Sequence, residues 1–260
     1  MKYVKKQLNL ILIVCCALLL SACASQSETA AAIRARGELR VGVKVDVKNF
    51  GYLNPETNAL EGLEIDLSRE LAEMLLGDRS AIRFIPVTAP AREAAITNGE
   101  VDLVIATYTI TEARQEVLNF SRSYYIDEVG FLVLKSSGIN KTADFTGKTI
   151  GTTRSSTAFT TLTTQPELWG GSFTHKGFAS YPELQSALQS GEIDVFCADK
   201  SILFGYYDDT TVLLEEGVSA QPYGIASNLE DKDFAAEIDK LLSQLEENGR
   251  LAEILAKWAK

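Results

Sequence analysis

Two stretches of this chain end in residues able to hold opposite charges. Thr107-Tyr108-Thr109-Ile110-Thr111-Glu112-Ala113-Arg114 offers hydroxyls and a guanidinium, and Asp199 offers a carboxylate. Arginine presents a planar fork that grips a carboxylate through two charge-assisted hydrogen bonds. A carboxylate complements an ammonium group. An amino acid carries the matching pair of charges.

Both stretches follow the same sequence pattern. Ala95-Ile96-Thr97-Asn98-Gly99-Glu100-Val101-Asp102-Leu103-Val104-Ile105-Ala106 returns, offset by 92 residues, as Ala187-Leu188-Gln189-Ser190-Gly191-Glu192-Ile193-Asp194-Val195-Phe196-Cys197-Ala198. Each copy reads as a helix end, a glycine stop, an acidic turn and an apolar run that suits a buried parallel strand. A single repeat at this spacing predicts two similar α/β lobes, not a solenoid. Ligands of open α/β sheets bind beyond the C-terminal ends of strands, which is where the charged residues fall.

The other elements are coarser. Leu39 to Val43 reads as a strand, Phe50 to Asn58 as a turn-rich hairpin, and Ile65 to Leu76 as a helix stopped by Gly77. Ile82 to Val87 is a second strand, and Ala91 to Thr97 a short helix leading into the first copy. Val129 to Leu134 reads as a strand leaving the first lobe, and Gln221 to Ala226 as one crossing back. Ser180 and Glu183 have capping-box spacing around Pro182. Phe234 to Trp258 reads as two amphipathic helices broken at Asn248-Gly249. Two crossings imply a hinge.

The N-terminus has the pattern of an export signal. Lys2, Lys5 and Lys6 precede an apolar run from Leu8 to Leu20, thirteen residues long, too short for the ~20 apolar residues of a membrane span. Leu20-Ser21-Ala22-Cys23 resembles a lipobox, which would make Cys23 the lipid-bearing first mature residue. The Ala-, Ser- and Gln-rich stretch from 24 to 32 reads as part of a flexible tether. Cleavage removes three lysines and no acid, taking the formal charge from −10 to −13. That balance argues against nucleic acid and against adsorption to anionic lipid. Cys197 stands alone in a strand pattern, so neither a disulfide framework nor a zinc site can be built on it. His175, the only histidine, has no partner at metal spacing, and Gly170-Gly171 lacks the Lys-Ser/Thr of a phosphate loop.

From about Gly37 to Lys260 the chain resembles the extracellular solute-binding proteins of family 3, the polar amino acid receptors of ABC importers. The motifs that carry the likeness include Leu39-Arg40-Val41-Gly42-Val43, Gly62-Leu63-Glu64-Ile65-Asp66-Leu67, Val101 to Ala106, Thr109 to Arg114, Asn119 to Tyr125 and Gly147 to Gly151. Asp199-Lys200-Ser201-Ile202-Leu203 looks closest to aspartate- and glutamate-binding members. The resemblance implies an α/β, type II periplasmic-binding-protein-like fold of two lobes, each a sheet flanked by helices, with two hinge crossings. It also implies a signal peptide over 1–22, a tether over 23–36, a discontinuous first lobe over 37–130 plus 226–260, and a second lobe over 131–225.

By the same resemblance, Arg114 binds the α-carboxylate and Asp199 the ammonium, with the Thr107 carbonyl and Thr109 hydroxyl completing the ammonium site. Ser156 and Thr157, in the loop Arg154-Ser155-Ser156-Thr157, close over the carboxylate. Relatives often carry glycine at the positions of Thr107 and Ser155. Lys44 and Arg92 match cations that hold a side-chain carboxylate in acidic-ligand members, and Tyr181 and Tyr223 border the pocket. The implied protein is a lipid-anchored, exported, monomeric receptor for glutamate or aspartate that serves a membrane permease. It is not an enzyme and needs no cofactor or metal. A glutamine or broad polar receptor is an alternative. So is a lyase of the cyclohexadienyl dehydratase type, which would need a further cleft carboxylate such as Glu64, Asp66 or Glu112. A sensor or adhesion lipoprotein with the same ligand is not separated from a transport receptor by sequence.

Overall fold

A computed structural model describes residues 27–164 and 169–259. The expected signal peptide over 1–22 and Cys23 lie outside the described residues. No helix among the described residues is long and apolar enough to cross a membrane.

The chain begins with α1 (Glu28–Arg36), β1 (Leu39–Val43), the small three-stranded sheet β2 (Asp46–Val47), β3 (Gly51–Leu53) and β4 (Leu60–Glu61), then α2 (Leu63–Leu76), β5 (Ile82–Pro86), α3 (Arg92–Thr97), β6 (Leu103–Ile105) and α4 (Glu112–Gln115). It continues through β7 (Leu118–Leu134), β8 (Thr149–Thr153), α5 (Thr157–Thr164), β9 (Thr174–Phe178), α6 (Tyr181–Ser190), β10 (Val195–Asp199), α7 (Lys200–Phe204) and β11 (Thr211–Leu213). It ends with β12 (Val218–Asn228), α8 (Lys232–Glu247) and α9 (Arg250–Trp258).

The main sheet runs β5-β1-β6-β12-β7-β10-β8-β9, with β11 added on β7. Its ends are two parallel trios, β5-β1-β6 and β10-β8-β9. Between them β12 and β7 run antiparallel to each other. These crossing strands are longer than their apolar cores suggested, because residues 118–128 are a mixed polar stretch with one side against β12. The expected separate sheets are therefore joined in one hydrogen-bonded ladder.

The repeated segment positions the trios in the same way twice. Gly99 and Gly191 take left-handed φ values of 69° and 75° and end α3 and α6. Asp102 then accepts the Arg40 N–H (2.7 Å) while its own N–H reaches the Arg40 carbonyl (2.9 Å). Asp194 does the same to Thr149, at 2.8 Å in both directions. Each aspartate locks its strand to the neighbouring one at the strand's start.

One expectation changes. The described part of the predicted tether is not loose: Ser27 caps α1 by accepting from Ala30, and Ala30 and Ile33 are buried. The Ser27 hydroxyl and the Thr29 N–H both donate to Asp231, the N-cap of α8, and Arg34 pairs with Glu237. Alanine and serine suit a tether by composition, but alanine is also the best helix former, and Ile33 gives the helix something to bury.

Candidate functional site

The loops after β6 and β10 meet across a narrow cleft. Of the ten expected ligand-binding residues, eight line one small cavity there: Arg92, Thr107, Thr109, Arg114, Ser156, Thr157, Tyr181 and Asp199. Arg114 stands in α4, whose N-cap Thr111 accepts the Arg114 N–H. Its guanidinium donates to the Thr109 carbonyl at 2.7 Å and across the cleft to the Ser155 carbonyl at 3.1 Å. The Tyr108 ring lies under it, 4.6 Å from the guanidinium carbon. Burial, with help from the Arg92 charge, lowers its pKa to about 10, which leaves it cationic at neutral pH.

Asp199 occupies the N-cap position of α7, yet its side chain caps nothing. Its carboxylate is turned to Tyr223, whose hydroxyl donates to it at 2.6 Å. Burial first, then the nearby Asp127 carboxylate, push its pKa up to about 7. A guanidinium and a carboxyl group thus face one space that is also lined by hydroxyls.

The two departures from glycine have a common geometry. Thr107 has φ +44° and Ser155 φ +61°, in the left-handed region that disfavours side chains by about 1–2 kcal/mol. At Thr107 the turn is held by its buried N–H, which donates to Glu64 at 2.5 Å. Glu64 is delivered by Gly62, which has φ +131° and lies so close to Phe50 that a Cβ would stand 2.1 Å from the Phe50 carbonyl oxygen. Glu64 is fully buried and also accepts the Tyr124 hydroxyl at 2.6 Å. Burial raises its pKa to about 7 against those two hydrogen bonds. Ser156 lines the cavity, and its buried hydroxyl has no hydrogen-bond partner among the described residues.

The remaining two residues stand behind the cavity wall. Tyr223 supports Asp199. Lys44 is turned toward Asp46, at 3.0 Å, and lies 4.9 Å from the centre of the Tyr181 ring. Arg92 lines the cavity, but much of its guanidinium is committed to the backbone. It donates to the Ala106 and Thr107 carbonyls at 2.9 Å each and to the Ala89 carbonyl at 3.3 Å, and stacks 4.1 Å over Tyr108. His175 is half-buried against Thr152 and Phe159. Asp66 holds Lys257 and the Trp258 indole.

Gln221 was not singled out by sequence. It is buried on β12, and its carbonyl oxygen accepts the Thr109 hydroxyl at 2.9 Å and the Thr157 hydroxyl at 2.6 Å. Its amide is oriented by the Ser219 carbonyl, 2.9 Å away. One acceptor therefore ties the two sides of the cleft together. No local signal marks it, since its partners are 112 and 64 residues away. Gln221→Ala leaves two hydroxyls short of an acceptor, a loss of about 1–3 kcal/mol from the closed form. The ligand-free protein is expected to shift toward an open shape by roughly tenfold or more, read by small-angle scattering, with little change in unfolding midpoint.

Residues 39–260 match the bacterial extracellular solute-binding proteins, family 3, and the chain belongs to that family. It is a solute-binding protein of the amino acid ABC-transporter type. It is 37% identical over 210 residues to the glutamine-binding protein of Geobacillus stearothermophilus, covering 79% of this chain and 78% of that one. It is 32% identical over 240 residues to the ABC transporter glutamine-binding protein GlnH of Bacillus subtilis, covering 91% and 86%. The glutamate-binding protein GluB of Corynebacterium glutamicum is 25% identical, covering 85% of this chain and 78% of that one. Among solved structures, an ancestral arginine-binding protein bound to glutamine superposes with a TM-score of 0.76 at 29% identity, covering 86% of this chain and 98% of that one. The cysteine-binding protein of Campylobacter jejuni shares the two-lobed fold, with a TM-score of 0.81 at 24% identity, covering 89% and 93%.

Proposed function

We propose that this receptor captures glutamine, with Arg114 on the α-carboxylate, Asp199 on the ammonium and the Ser156 and Thr157 hydroxyls closing over the carboxylate. The observation that carries this ligand is the state of the two cations expected to hold a second carboxylate. Lys44 is already paired with Asp46, and Arg92 gives its Nε and one Nη to backbone carbonyls. A neutral amide side chain needs no further cation, whereas a second carboxylate would be a further buried charge beside cations that are already engaged, which is costly. The two glutamine-binding relatives support the same choice.

The acidic reading rests on Arg92, whose charge still borders the cavity, and on the glutamate-binding relative. Titration calorimetry of the mature protein, refolded free of ligand, separates the two. The expected result is glutamine binding at least about tenfold tighter than glutamate or aspartate, a difference of about 1.4 kcal/mol. Tighter glutamate would restore Arg92 as a side-chain carboxylate site. Binding without catalysis is supported by the relatives, which are named as binding proteins. We further read the protein as exported and lipid-anchored through Cys23, monomeric, and presenting its closed form to a permease.

A further inference from the structure

Behind the ammonium side of the cavity, one phenol hydroxyl faces two carboxylates. The Tyr223 Oη lies 2.6 Å from Asp199 Oδ2 and 3.1 Å from Asp127 Oδ2. All three side chains are buried, at 0%, 6% and 8% exposure for Tyr223, Asp199 and Asp127. A phenol has one proton to donate, so it cannot serve both acids at once. Their other partners are unequal. Asp127 also accepts the Glu128 N–H at 2.8 Å on Oδ1 and the Ser201 N–H at 3.1 Å on Oδ2. Asp199 accepts a hydrogen bond from Tyr223 alone among the described residues.

We propose that Asp127 is a positioning residue that keeps a proton on Asp199 while no ammonium is bound, so that ligand capture expels that proton. This rests on the reading of Asp199 as the ammonium partner. The step balances simply. A protonated Asp199 gives its proton to solvent, the ligand arrives and stays as ammonium, and the carboxylate left behind forms the ion pair. Tyr223 keeps its own proton throughout.

The groups facing Asp199 decide the direction. Arg92 from α3 and Arg114 from α4 favour the carboxylate, while burial and Asp127 from β7 oppose it and prevail. Tyr181 from α6 and Cys197 on β10 are neutral neighbours whose own pKa values are raised. Lys200, next in sequence, is occupied by Glu128 at 2.6 Å. With Asp199 raised to about 7, binding below that pH must displace a proton. Affinity should therefore fall as pH falls, by up to about tenfold per pH unit, and level off above pH 7.

The test is calorimetric titration of the mature protein with glutamine, about one unit below that pKa, in two buffers of different ionisation enthalpy. Wild type is expected to release close to one proton per ligand bound. Asp127→Asn, checked for folding by near-UV circular dichroism, removes the second of the two causes that raise Asp199 and is expected to release fewer protons than wild type and to shift the pH–affinity profile to lower pH. Tyr223→Phe leaves the two acids facing each other without the shared hydroxyl and should keep the proton release. Normal binding by wild type with no proton released would overturn the proposal, as would Asp127→Asn releasing as many protons as wild type. Asp199→Asn binding as tightly as wild type would sink the ammonium assignment itself. Should Asp127→Asn not fold, the wild-type proton count and the Tyr223→Phe profile still decide.

Discussion

Replacing Arg114 by alanine is expected to abolish binding of every amino acid, whatever its side chain. The guanidinium is the cation of the cavity best placed for a bidentate grip. It stands half-buried on the Tyr108 ring, aimed by the Thr109 and Ser155 carbonyls. Removing one partner of a desolvated charge pair costs about 3–5 kcal/mol, or roughly 10²- to 10³-fold in Kd and more at the upper end. The same change removes the bond from α4 to Ser155 across the cleft, so closure is weakened along with contact. Arg114→Lys restores charge without the planar fork and should recover only part of the loss. Calorimetry with glutamine and glutamate checks both variants. An Arg114→Ala protein that kept either affinity within tenfold would place the α-carboxylate elsewhere.

Asp199→Asn is expected to move binding and stability in opposite directions. Binding loses the anion facing the ammonium, about 2–5 kcal/mol for a buried charged hydrogen bond. Stability gains. The Asp199 pKa is raised from an ordinary 3.8 to about 7 in the fold, so the folded state prefers the protonated acid. Its stability is intact below the unfolded pKa and is lost as pH rises toward the folded value. Asparagine has no proton to lose and escapes that penalty, which is of order a few kcal/mol at neutral pH. Thermal melts of the two ligand-free proteins should separate as pH rises from about 4 to 7 and coincide at the acid end. A purely structural Asp199 would instead lose stability on substitution and leave ligand affinity unchanged.

Much of the site was legible because the chain repeats its own solution. The offset that aligned Gly99 with Gly191 and Asp102 with Asp194 in sequence aligns two copies of one turn in space, down to the hydrogen bonds of each aspartate. Residues following those turns had to lie at strand ends, so Arg114 and Asp199 could be paired from sequence. Gln221 could not, because its meaning depends on threonines from two distant loops converging on one oxygen. Lys44 and Arg92 carry the right charge, but charge alone does not say whether a lysine meets a ligand or the neighbouring Asp46. Glu64 was an available acid at a position that the family resemblance reads as structural, but only the fold shows what it supports, the left-handed turn at Thr107. In each case the missing information was what a side chain turns toward, which sequence spacing does not encode.

The ladder between β7 and β12 slips register between Val218 and Ala220, between Tyr223 and Gly224, and between Gly224 and Ala226. Bending therefore has places to occur where regular pairing is already interrupted. Jaws joined in this way are expected to open by turning a few backbone dihedrals at the irregularities, without rupturing the strand pair. The cleft should cycle on the microsecond-to-millisecond scale of hinge motions. How long a captured molecule stays is then set by the contacts inside the cleft and not by the stiffness of the joint.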